Sequence, residues 1–285
     1  MGYITHIGWG VIALRYIHFS SLDYNIWKAL LKLYFNDPIE HVYFMYDIIY
    51  AIDKTDIYLA LSNNDVIGYL LIWKGADVAG VHIWGDAEPL IRFLPTDIPM
   101  TIQVYNDDLF KLVVSHLKFK GGKVLSKPYY NMSVNEQNFK PYHSDKAIRL
   151  SEKDLDAFIE LRKIQISDIA RREINRKEAL EIMIKWRYYG FYMDNKLVSI
   201  ACAFVRLNEV WIIGGVFTHP DFRGRGYAKI VTSAITQNAL NSGAIAFLQV
   251  REDNIPAIRA YKALGYKIIG KRNWIFYNRP TKILP

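Results

Sequence analysis

Arg223, Gly224, Arg225, Gly226, Tyr227 and Ala228 stand directly after an apolar, β-rich stretch, Trp211 to Thr218, and a short turn, His219-Pro220-Asp221-Phe222. Beyond them Ile230, Val231, Ala234 and Ile235 recur at helical spacing. The order is therefore buried strand, glycine-rich loop, helix start. Glycine leaves main-chain N–H groups unscreened by a side chain, and the helix dipole adds partial positive charge. Residues of these types in this place can hold an anion, above all a phosphate or pyrophosphate. Spacing excludes two familiar phosphate loops, because neither Gly-x-x-x-x-Gly-Lys-Ser/Thr nor Gly-x-Gly-x-x-Gly is present.

A second group of residues follows. Ala246 to Val250 reads as a strand and Arg251 to Asn254 as a polar turn. Ile255 to Tyr266 reads as a short helix stopped by Gly265. Arg-x-x-Gly-x-Ala from Arg223 to Ala228, then a strand, then Asn254, Ala257, Tyr261, Gly265 and Tyr266, resembles the GNAT superfamily of acyl-CoA N-acyltransferases. The cofactor loop of that superfamily reads Arg/Gln-x-x-Gly-x-Gly/Ala. The resemblance covers roughly Ala147 to Tyr277 and implies an α/β fold with a mixed central sheet flanked by helices.

The resemblance also implies a reaction: transfer of an acyl group, usually acetyl, from coenzyme A to a primary amine, with no enzyme nucleophile and no metal. In its terms the N–H groups from Gly224 to Ala228, Tyr227 among them, hold the pyrophosphate. Arg223 opens the motif, and Arg225 meets a phosphate or is solvated. The backbone of Val216, Phe217 and Thr218 pairs with pantetheine as an added strand would. Asn254, with Ala257 completing its motif, holds the pantetheine arm; an Asx cap on the following helix is an equally physical role. Tyr261 takes the acid position, giving a proton to the departing sulfur, or else it only packs. The general base is not found. Some family members place a glutamate eleven residues before the loop's first motif residue, and here that position is Ile212. Glu209, Asp168, Glu173 or an ordered water chain are the alternatives.

These residues need elements to carry them. Ala147 to Leu150 reads as a first strand, and Ser151 with Asp154 as a capping box. The helix that follows has Leu155, Phe158, Ile159 and Ile166 as its inner face. Asp194-Asn195-Lys196 and Leu207-Asn208-Glu209 each join two strands. In the first half, Tyr24 to Tyr34 reads as a helix, and Ser62 to Asp65 as the turn of a hairpin. Gly80 to Gly85 is a strand, Ala87 to Leu94 a helix, Thr101 to Tyr105 a strand and Leu109 to Leu117 a helix started by Asp107-Asp108. This order echoes the second half without its loop. The expectation is two domains, 1–140 as a degenerate copy of the same fold and 146–285 as the catalytic domain, with a linker within Asn135 to Lys146.

Charge agrees with that division. Residues 146–285 hold 24 Lys+Arg against 13 Asp+Glu, and residues 1–145 hold 12 against 15. A basic second half suits the phosphates of coenzyme A. Arg171-Arg172 and Lys271-Arg272 are pairs rather than runs, which argues against nucleic acid as a partner. One cysteine, Cys202, excludes an internal disulfide and reads as buried rather than nucleophilic. His219 reads as structural. His6, Arg15 and His18 interrupt the apolar N-terminus, so a membrane span is not expected and a cytoplasmic location is. A coenzyme-A-binding regulator without catalysis, or acetylation of a protein or RNA target, would fit the same motifs.

Overall fold

A computed structural model describes residues 14–166 and 175–278, with the backbone alone for 167–169. The described residues fall into two compact units, one up to Tyr129 and again from Lys271 onward, the other Tyr130–Gly270. The border thus lies ahead of the expected linker at 135–146. That segment is packed into the second unit, where Lys140 N–H donates to the Leu264 carbonyl at 3.0 Å and Tyr142 N–H to Ser233 Oγ at 2.9 Å. Local polarity misled the sequence reading.

The first unit runs β1 (Leu14–His18), α1 (Tyr24–Asn36), α2 (Val42–Tyr50), β2 (Thr55–Ser62), β3 (Asp65–Trp73), β4 (Ala79–Gly85), β5 (Met100–Val104) and α3 (Asp107–Phe119). Strands β1 to β4 form an antiparallel meander, and β5 adds to β4 in parallel. Side-chain caps start both flanking helices: Asp23 accepts from Ile26 N–H and Asn106 from Leu109 N–H. The helix expected over 87–94 is a 3-10 turn, Glu88–Phe93. Pro95 directly after Leu94 disfavours any helical continuation.

Strand β6 (Lys123–Val134) leads into the second unit. There follow β7 (Ile148–Arg149), α4 (Leu155–Ile169), α5 (Arg176–Lys185), β8 (Tyr189–Met193), β9 (Lys196–Arg206), β10 (Val210–Thr218), α6 (Tyr227–Asn241), β11 (Ile245–Arg251), α7 (Ile255–Ala263) and β12 (Lys267–Asn278). Strands β7 to β10 repeat the antiparallel meander, and β11 joins β10 in parallel. Asp194 and Asn195 both have positive φ, the geometry of the tight hairpin read from sequence. The closing strands are exchanged: Asn273–Tyr277 of β12 lies beside β5 in the first unit, and β6 is next to β11.

Each unit has an apolar layer on both faces of its sheet. In the second unit one layer lies under α6 and α7, with Val231, Ile235, Ala246 and Leu264 at its centre. The other lies under α4 and α5, with Phe158, Met183, Tyr188 and Cys202. Asp154 fixes the start of α4: its carboxylate accepts from Ser151 N–H at 2.9 Å, from Ser151 Oγ at 3.0 Å and from the Tyr192 hydroxyl of β8 at 2.9 Å. Removing a buried acceptor leaves all three donors short of a partner. Asp154→Ala is therefore expected to cost about 2–4 kcal/mol of stability, read as a lower urea midpoint; an unchanged midpoint would mean that α4 is held by its apolar face alone.

Candidate functional site

Strand β10 carries a break in its pairing. Its register against β9 shifts between Gly214 and Phe217, and Gly215 inside that shift has a φ of +59°. A Cβ at Gly215 would stand 2.8 Å from Cys202 Sγ and 3.2 Å from the Tyr188 hydroxyl. Only glycine combines that conformation with that space. The bulge bends the strand, and on its other side the parallel ladder to β11 consists of Val210, Trp211 and Ile212 opposite Ile245, Ala246 and Phe247. Past Ile212 the two strands run on without pairing. The β11-side edge of Val216, Phe217 and Thr218 is thus unpaired by β11, whereas Phe217 and Thr218 pair on the other side with Ile200 and Ser199.

The strand ends at the glycine loop. Arg223 Nε donates to the Thr218 carbonyl at 3.1 Å, and its guanidinium stands 5.6 Å from the Phe217 ring centroid. Arg223 therefore folds the loop back on the strand. Gly224 and Gly226 have φ of +78° and +84°, and nothing lies within 4 Å of a Cβ built on Gly224. Gly226 is the N-cap of α6 and supplies no side chain to it. Among the described residues nothing accepts from the N–H of Gly226, Tyr227 or Ala228, the position where helix geometry leaves donors unmatched. Arg225 reaches back over Phe222 at 5.4 Å. The Tyr227 ring packs on Phe191 at 4.7 Å, so that residue contributes its backbone to the loop.

Two further side chains border this loop. The Tyr142 hydroxyl would be 3.2 Å from a Cβ on Gly226, and Lys229 Nζ lies 4.0 Å above the Tyr142 ring. Neither was singled out from sequence. Tyr142 falls in the polar segment read as a linker, and Lys229 is one lysine in a basic half. Its position on the first turn of α6, facing the same side as Gly226, was the available signal. His219 is buried, with Nδ1 accepting from Asp221 N–H at 3.3 Å and Nε2 3.2 Å from Lys196 Nζ, in keeping with a structural role.

Helix α7 supplies the other expected residues. Asn254 Oδ1 accepts from Ala257 N–H at 3.3 Å, which makes Asn254 the Asx cap of this helix. Its amide NH2 has no partner among the described residues. Tyr261 is 9% exposed and packs in the same layer as Ile258 and Val231, with Val216, Tyr227 and Ala257 along the margin of that layer. Burial pushes its phenol up to about 12, so it is in the acid form at every physiological pH. Tyr266 closes the helix by a 2.7 Å contact between its hydroxyl and Thr236 Oγ1 of α6.

The candidate bases fare differently. Ile212 is buried in the ladder. Glu209 precedes β10 at the end where β10 and β11 are still paired, five residues or about 17 Å of strand from Gly214. Glu173 and the pair Arg171-Arg172 lie outside the described residues, as do His6 and the side chain of Asp168. No helix of the described residues is long and apolar enough to cross a membrane.

Among the described residues the first unit has no equivalent opening. Its β4–β5 ladder continues for five pairs, Ala79 to Ile83 against Met100 to Val104, and Tyr105 N–H still reaches the Ile83 carbonyl at 3.3 Å. After β4, the N–H groups of Asp86 and Ala87 are taken by the Ile67 and Gly85 carbonyls. Where the second unit has free donors, this one has used them.

Comparison with known proteins agrees with this geometry. Residues 188–275 match the family model of FR47-like proteins. An acetyltransferase of Yersinia enterocolitica is 38% identical over 60 residues, 19% of this chain and 43% of that protein. The chain thus matches less than half the length of this relative. A tandem GNAT protein from the clavulanic acid biosynthesis pathway superposes with a TM-score of 0.57 at 15% identity, covering 94% of this chain and 99% of that one. A Drosophila protein of known structure gives 0.69 at 12% identity, over 94% and 99%. At these identities the structures establish the fold. The mixed sheet with flanking helices, expected from the GNAT-like motifs, is the fold found.

Beneath the bulge, burial pushes the Cys202 thiol up to about 12. A thiol in that state has almost no thiolate at pH 8. Native protein is expected to resist iodoacetamide at pH 8 and to react fully in about 6 M guanidinium, beyond the unfolding midpoint of all but hyperstable domains; rapid labelling of the folded form, followed by mass spectrometry, would contradict the packing around Gly215.

Proposed function

We propose that the chain is an acetyl-CoA-dependent N-acetyltransferase that acetylates a primary amine by direct attack. The observation that carries this reading is the conjunction of an unpaired β10 edge with uncapped N–H groups at the start of α6. Coenzyme A carries an extended amide-bearing arm and a pyrophosphate, and the two features offer a match to each in the right order. Bound there, it would supply an acetyl thioester activated towards amines.

The chain's own residues divide the work. The N–H groups of Gly226, Tyr227 and Ala228, together with the α6 dipole, hold the pyrophosphate, while Arg225 and Lys229 add positive charge. The edge of Val216, Phe217 and Thr218 and the free amide of Asn254 orient the arm. Tyr261 donates a hydrogen bond to the departing sulfur. A free thiol titrates near 8.5, so a phenol at about 12 is a weaker acid by roughly 3.5 units, about 5 kcal/mol. Tyr261 therefore steadies the sulfur first and passes its proton only as the amine gives one up. The first unit, with its β4–β5 ladder closed and its loop donors used, is read as a degenerate GNAT-like copy that does not hold the cofactor. Proton removal from the amine falls to water or to a carboxylate outside the described residues, since Ile212 has no proton acceptor.

Two variants test this. Gly226→Asp puts a carboxylate where phosphate belongs, and acetyl-CoA binding measured by calorimetry should drop below detection; an unchanged affinity refutes the assignment. Tyr261→Phe should lower kcat by about 10²-fold or more, the range for a positioned acid, with the KM for acetyl-CoA nearly constant. Because the phenol keeps its proton up to about pH 12, wild-type kcat should show no decline from tyrosine ionisation between about pH 7 and 10. A wild-type decline in that window that disappears in Tyr261→Phe would remove the acid role as described. Tight cofactor binding with no transfer to any amine would instead favour a regulator.

A further inference from the structure

On α4, the residues Phe158, Leu161 and Ile166 turn inward and are buried. Arg162 stands on this same face, four residues after Phe158, at a place where helical periodicity puts an apolar side chain. Its Nη1 donates to the neutral Gln165 Oε1. Its Nε is fully buried and has no hydrogen-bond partner. Among the described residues no carboxylate pairs with it: the nearby acids Asp156 and Glu160 are engaged with Arg176 and Lys163. A part-buried guanidinium without a counter-ion, and with an orphaned donor, is costly in a resting protein.

The location gives that cost a use. The charge of Arg162 acts on both Tyr188 and Cys202, drawing each towards its ionised form against the effect of burial. Those two side chains are the ones in contact with the Gly215 bulge. Arg162 thus sits on the α4–α5 side of the sheet under the broken part of β10, whereas the anion loop and Tyr261 belong to the α6–α7 side. An acceptor approaching the unpaired end of β10 from the α4 side meets this guanidinium.

We infer that Arg162 is a specificity-determining residue that binds a carboxylate on the acceptor, so that the substrate is an amine bearing a carboxylate. The inference rests on the acetyltransferase reading for the reaction, and on the part-buried cation with its orphaned Nε donor for the chemical class. Arginine is suited to the task because its planar fork meets a carboxylate through two parallel N–H donors.

The test uses the full chain with coenzyme A present and reads binding by calorimetry, so it does not depend on turnover. The probes are alanine, β-alanine and 4-aminobutyrate, each against its carboxamide. At least one acid is expected to bind about 10- to 100-fold more tightly than its amide, the range for a hydrogen-bonded charge pair. Arg162→Gln should abolish that preference with the affinity for coenzyme A unchanged, and Arg162→Lys should restore part of it. Arg162→Met should leave the melting temperature equal or higher, because it removes an uncompensated cation; a purely structural arginine would give a lower one. Equal binding of acids and amides, no binding of any acid, or a preference retained in Arg162→Gln would overturn the inference. Carboxylate-selective binding without acetyl transfer to any amine would keep the anchor and discard the transferase reading.

Discussion

The main chain of β10 has to leave its neighbour, and the rest of the site follows from that departure. Gly215 is held at positive φ above Cys202 and Tyr188, with no room for a side chain. A bulge there uses up one side of the strand irregularly and bends it, and the ladder with β11 ends three residues after it begins. Unpaired main-chain groups in a sheet interior are costly unless something else meets them. The same strand then delivers the chain into a loop whose terminal N–H groups are also unmet. Two adjacent sets of unsatisfied backbone groups result, one linear and one convergent, and the proposed acetyl-CoA site rests on them.

The first unit shows what the same order of elements does without that bend. Its meander and parallel fifth strand copy those of the second unit, yet β4 and β5 stay zipped and the following turn satisfies its own donors. Similarity of topology therefore does not carry a site with it. The difference comes down to whether a strand is allowed to break pairing next to a helix start. The first unit has only a six-residue 3-10 turn after β4, too short to present a helix dipole to a ligand.

Much of this was legible in the residues because it is local. The hairpin at Asp194-Asn195, the box of Ser151 and Asp154, and the loop from Arg223 to Ala228 are each specified within a few positions, and each is found where the sequence places it. Asn254 was read with two roles, and the cap is the one its geometry displays. What escaped is non-local. Strand β6 contains Lys123, Lys127 and Pro128 and reads as polar, and it finds its place only beside β11, more than a hundred residues later. Helix α2 has a single charged residue, Asp47, and no side-chain cap, so neither a polar face nor a start signal marked it. The exchange of β6 and β12 between the halves placed the domain border where no composition shift marks it. The bulge itself escaped for a similar reason: Gly214-Gly215 is visible, but the crowding that requires a glycine comes from β9 and from Tyr188.

Two arginines, one buried and one part-buried, sharpen the distinction between structure and function. Arg272, in the first unit, is 7% exposed, but it is paired with Glu40 and lies 3.7 Å over the Tyr105 ring. Burial drives the Glu40 carboxyl up, and the guanidinium pulls it part of the way back; each charge has its counter-ion within the fold. Arg162 is part-buried, and its buried Nε lacks any such compensation. Folding does not select for such an arrangement, since a methionine or leucine at that helix position would pack at lower cost. A part-buried cation with an unmet donor beside a broken strand is the kind of local expense that binding sites carry, because a cation already partly desolvated and free of a counter-ion binds an incoming anion more strongly than one that must first give up its own.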